Sequence, residues 1–70
     1  MLNTPEAYRQ AGHATATARR QGDEARAAHH KQWFTRAQAL EQPEHRAEAR
    51  RLFDEGYSDA QPHRPAHYFN

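Results

Sequence analysis

Seventy residues with a net charge of +1, no cysteine and 36% hydrophobic content leave room for one domain. They exclude a two-domain enzyme, a disulfide framework and the basic excess of a dedicated nucleic-acid binder. Neither Ile nor Val occurs and alanine carries most of the apolar content, which disfavours a β-rich fold, because strands draw on β-branched and aromatic residues.

Thr4, Pro5 and Glu6 read as a helix start: a hydroxyl at the N-cap, proline at the first helical position and an acid against the helix dipole. The spacing predicts a first helix over 4–21, with Ala7, Ala11, Ala14 and Ala18 recurring as a narrow small-residue stripe beside Tyr8 and Gly12. Such a stripe suits close approach of another helix. Arg19 and Arg20 fall in the last turn, Gly22 supplies a left-handed residue and Asp23 caps the next helix.

A second helix is expected over 23–42, with Ala27, His30, Trp33, Phe34, Ala37 and Leu40 on its apolar face. Pro43 disfavours helical geometry at Gln42 yet starts a new helix well. The third, over 43–60, carries the cleanest pattern: His45, Ala49, Leu52, Phe53, Gly56, Tyr57 and Ala60. Glycine inside a helix costs about 1 kcal/mol, so Gly12 and Gly56 facing the core imply tight helix crossings. Pro62 and Pro65 exclude a regular helix beyond residue 60, leaving a tail over 61–70 in which the aromatics Tyr68 and Phe69 dock on the bundle or anchor another molecule. The expected fold is all-α: a small antiparallel three-helix bundle, a helical hairpin plus a third helix, with a proline-containing C-terminal tail.

The stretch Gln21-Gly22-Asp23-Glu24-Ala25, followed by Ala39-Leu40-Glu41-Gln42-Pro43, resembles the second helix of a tetratricopeptide hairpin. The resemblance covers about half the chain; helix two exceeds what that family's roughly 34-residue unit permits, and no second copy follows. It implies antiparallel helices, and no peptide-binding residue is carried over.

Charge is unevenly placed. From Arg9 to Arg36 the cations Arg9, Arg19, Arg20, Arg26, Lys31 and Arg36 face only Asp23 and Glu24, whereas acids predominate from Glu41 to Asp59. Opposite signs on neighbouring helices favour packing within or between chains. Burial of a large apolar side chain stabilises by roughly 2 kcal/mol while each ordered residue costs about 1.5 kcal/mol, so a chain this poor in them balances near zero and is expected to self-associate as a homodimer.

Six histidines, His13, His29, His30, His45, His63 and His67, are the most unusual compositional feature. Pairing about Gly22 would bring His13 within a turn or so of His29, but no pair has a diagnostic metal spacing, and Pro65 interrupts His63 and His67. His30 and His45 lie on apolar faces and read as partly buried side chains, with a pH switch as the functional alternative. Catalysis would need an activated nucleophile or paired carboxylates in a cleft. Ser58 beside Asp59 sits at a helix end without a glycine-rich elbow, and the consecutive Asp54 and Glu55 point to different faces.

The expected function is non-enzymatic and needs neither metal nor cofactor: binding another protein, as adaptor or inhibitor of a larger machine, through Trp33, Phe34, Tyr57, Tyr68 and Phe69. Alanine, arginine and histidine richness suggests a high-GC bacterial or phage accessory protein, an anti-host inhibitor among the options. The alternative is a nucleic-acid accessory protein using Arg19, Arg20, Arg26, Lys31 and Arg36. Absence of cysteine, of a secretory-signal layout and of a long apolar run places it in the cytoplasm, away from membranes.

Overall fold

The computed structural model describes residues 1–61 and places three helices, α1 (Pro5–Arg20), α2 (Glu24–Leu40) and α3 (Pro43–Asp59), with no strand among the described residues. The Thr4 hydroxyl accepts from the Ala7 amide at 3.1 Å, and Pro5 opens α1. At the first turn Gly22 takes φ 75°, the Gly22 amide donates to Arg19 O and the Asp23 amide to Ala18 O. This left-handed cap leads directly into the next N-cap, where Asp23 accepts from the Arg26 amide at 3.0 Å. Helix α2 ends at Leu40, short of the expected residue 42, because Glu41 and Gln42 are extended, with ψ 155° and 150°. Gln42 is held there by the following proline, which opens α3.

Successive helices run antiparallel, so α1 and α3 run in the same direction, with Arg9 beside Glu55 and Arg20 beside Ala60. Helix α1 is the centre of the bundle: α2 and α3 touch each other far less than either touches α1. The small-residue expectation holds most tightly between α1 and α3. A Cβ on Gly12 would overlap the Phe53 carbonyl and stand 2.9 Å from the Tyr57 nitrogen, while one on Gly56 would overlap the Arg9 carbonyl. Each glycine thus admits the other helix's backbone.

Tyr8, Phe34, Leu52 and Phe53 form the core with Ala11, Ala37 and Ala49. Phe34 stacks on Phe53 at 4.2 Å between centroids and meets Tyr8 edge-on at 5.9 Å. Below them Glu41, 2% exposed, accepts from the Tyr8 hydroxyl at 2.5 Å and the Leu2 amide at 2.8 Å, fastening the N-terminal leg to the α2–α3 turn. The Tyr8 bond, assisted by the backbone amides of Leu2 and Asn3, holds the Glu41 carboxyl below its ordinary value against the opposing effect of burial.

Two expected core positions of α2 lie outside it. Trp33 is 38% exposed and Leu40 73%. By helical rotation these two fall within about 20° of each other and roughly 100° from Phe34, so the face that seals on α1 and α3 leaves them at the edge. No helix among the described residues is long and apolar enough to cross a membrane.

Candidate functional site

The edge that carries Trp33 borders an open groove of about 340 Å³ between α1 and α2, lined by Ala7, Gln10, Ala11, Ala14, His30 and Trp33. Its floor is the alanine stripe of α1. Ala11 and Ala18 are covered by α2, whereas Ala7 and Ala14 remain half-exposed. A large ring on α2 beside methyl groups on α1 leaves this seam open at the surface. The Trp33 ring is tilted 48° to Tyr8 with 6.0 Å between centroids, so it touches the core while part of it meets solvent.

Toward the Gly22 turn the groove continues into a second depression that shares Ala14 and His30 and adds His13, Thr17 and Arg26. His13 and His30 line this depression together, with His29 the next residue along α2. The Thr17 hydroxyl is 3.4 Å from His13 Nδ1, and the His29 and His30 rings lie edge to face at 5.4 Å. Among the described residues no three metal-ligating side chains converge. The groove can bury apolar and polar surface, and its hydroxyl–imidazole contact, Thr17 with His13, is exposed.

The three sequence-predicted partner residues that the structure describes do not share one surface. Trp33 stands at the groove mouth. Phe34 is corrected to a core residue: at 1% exposure, stacked on Phe53, it has no surface to offer a partner. Tyr57 lies on the opposite seam, its hydroxyl accepting from Arg19 at 3.0 Å and its ring 5.7 Å beneath that guanidinium. Tyr68 and Phe69 lie outside the described residues.

The predicted basic face is likewise divided. Arg19 is engaged by Tyr57, Arg20 donates to Ala60 O at 2.7 Å, and Lys31 Nζ sits 5.8 Å from the Phe53 ring centroid, all three on the α3 side. Arg26 lies 3.5 Å from Asp23 at the end of the groove. Among the described residues the side chains of Lys31 and Arg36 make no hydrogen bond or ion pair, and Lys31 has its ring contact instead.

Two functional features carry a weak sequence signal. Glu41 is an acid at a helix C-terminus, where the dipole disfavours negative charge, and that misplacement marks a carboxylate with a specific partner. The open half of the alanine stripe follows from Ala7 and Ala14 lying farther round α1 than Ala11, which sequence periodicity displays only once the position of α2 is known. No family model matches the chain, and no curated protein or solved structure matches it.

Proposed function

We propose that this chain is a non-catalytic, cytoplasmic protein-interaction module, an adaptor or inhibitor of a larger protein, that docks through the α1/α2 groove. The observation that carries the reading is Trp33: the one tryptophan in the chain stands partly exposed over an alanine floor, backed by Tyr8. Tryptophan in a pre-formed pocket is the side chain that most often anchors a protein interface. The nucleic-acid alternative is less well supported, because phosphate contacts need several cations on one face and here three of the five are turned to the other seam. A high-GC bacterial or phage accessory role, including inhibition of a host protein, is compatible with this mode of action.

Self-association is a second reading, supported by Leu40 and Leu2, which is 70% exposed and is tied beside the α2 terminus through Glu41. The decisive experiment compares wild-type chain with Trp33→Ala and Arg36→Ala as baits of equal helicity. A saturable partner bound by the wild type and Arg36→Ala, and lost with Trp33→Ala, is expected; a partner indifferent to Trp33 removes the groove from the reading. Sedimentation equilibrium tests the dimer separately, and a monomeric mass at every concentration ends it.

A further inference from the structure

We infer that the α1/α2 groove selects an acidic amphipathic helix of its protein partner, with apolar side chains seated on the alanine floor against Trp33 and carboxylates facing His13, Arg26 and His30. This rests on the groove being the docking surface. Two independent observations point to the chemistry.

The first is the absence of carboxylates along both helices that build the groove. After Glu6 in α1 and after Glu24 in α2 no Asp or Glu occurs up to Leu40. Glu6 is drawn toward α3 by Arg9, which bridges it to Glu55. The groove wall therefore offers imidazoles, one guanidinium and amide groups. At the end of the groove Asp23 caps α2 and pairs with Arg26, so the groove wall beyond the first turns of the two helices carries no carboxylate. A partner bearing carboxylates meets little like charge along the groove wall, whereas a basic partner finds carboxylates only at its ends.

The second is shape. A two-helix groove floored by methyl groups accepts the ridge of a third helix, the geometry by which amphipathic helices are held in apolar grooves. Nucleic acid fits less well: the cations that could follow a phosphate backbone are divided between two seams, and the apolar floor has no counterpart in a phosphate chain. A second copy also fits less well. Its acid-bearing helix is α3, whose Glu48, Asp54 and Glu55 are paired within the chain with Arg51, Arg50 and Arg9, which leaves Glu44 and Asp59 at opposite ends of the helix.

Trp33, as the only tryptophan, reports occupancy of its own groove. The full chain is titrated with a short synthetic helix carrying Leu and Ala on one face and Glu on the other, with the same peptide bearing Lys for Glu, and with oligothymidine. The Glu peptide is expected to shift Trp33 emission saturably and to bind about tenfold more tightly than the Lys peptide. Arg26→Glu should narrow or reverse that preference. Ala14→Glu, which places a carboxylate in the floor at a helix-compatible position, should abolish binding without loss of helicity.

Equal binding of the two peptides overturns the acidic selectivity and leaves the groove as a docking surface. Tighter binding of oligothymidine overturns the inference in favour of nucleic acid. An emission shift driven by protein concentration alone overturns it in favour of a second copy. If neither peptide binds while a Trp33-dependent protein partner is recovered, the inference fails and the docking role stands.

Discussion

The two sides of α1 are built from small residues and behave in opposite ways. On the α3 side Gly12 and Gly56 let backbone meet backbone, and the seam is fastened at its rims by Arg9 to Glu55 at 2.9 Å, Arg19 to Tyr57 and Arg20 to Ala60 O. On the α2 side alanines replace glycine, the one ion pair there among the described residues is Arg26 with Asp23 at the end of the groove, and Trp33 stands at the open edge. Reciprocal glycines make a sealed seam, while alanines facing a large ring make a surface. The closest helix packing therefore lies on one side of the central helix, and the proposed docking surface on the other.

The largest expected effects come from breaking the sealed side. Gly56→Val or Gly12→Val forces a side chain into opposing backbone, which cannot rotate away, so a loss of more than about 3 kcal/mol is expected, close to the whole stability of so small a domain. Urea unfolding followed by circular dichroism checks this; a variant that retains most of its stability would mean that α1 and α3 do not meet at the glycines. Phe53→Ala, which removes the ring stacked on Phe34, is expected to cost about 3–5 kcal/mol in the same assay.

An intermediate effect belongs to the Tyr8–Glu41 bond at the base of the core. Tyr8→Phe leaves the buried carboxylate without its shortest hydrogen bond and should cost about 1–3 kcal/mol at neutral pH. Glu41 has its folded pKa lowered, chiefly by Tyr8, so its contribution is present above the ordinary carboxyl value of 4.5 and is lost as pH falls through the folded value. Tyr8 is raised above 10.0, by burial first and then by the Glu41 bond, so its contribution is present below that value and lost as pH rises. Stability should decline at both extremes, and Tyr8→Phe should remove the Tyr8 contribution to the alkaline decline and weaken the acid one. An unchanged acid arm in the variant would show that Glu48 and Glu55, also lowered by Arg51 and Arg9, dominate there instead.

Much of the sealed side was legible in the sequence and most of the open side was not. Caps at Thr4 and Asp23, the left-handed Gly22, the Pro43 boundary and the Gly12 and Gly56 crossings are local chemistry, where residue type dictates backbone geometry. Periodicity also placed Ala49, Leu52 and Phe53 correctly. It failed at Leu40 and Trp33 because a helical wheel gives the centre of an apolar face without the width that neighbours will cover, and α2 is covered from little more than one side. Phe34 and Trp33 are adjacent and chemically alike, so only tertiary packing could decide which of them is core.

That adjacency supplies the smallest and most discriminating test. Trp33→Ala removes a ring that is already partly in solvent and touches Tyr8 at 6.0 Å, so it should cost about 2 kcal/mol, less than Phe53→Ala. Ala14→Leu, on the half-exposed floor, should change stability by less than that, since the added atoms enter an open groove rather than a filled space. Both variants should keep full helicity, and both should alter the seating of a partner helix, the first by removing the anchor and the second by raising the floor beneath it. Thermal unfolding and titration with the acidic helical peptide are measured on the same preparations. If Trp33→Ala destabilises the chain as severely as Phe53→Ala, the ring belongs to the fold and the α2 side of α1 is no freer than the α3 side. If it leaves both stability and peptide binding unchanged, the groove is merely a gap between helices, and the division of labour across α1 is wrong.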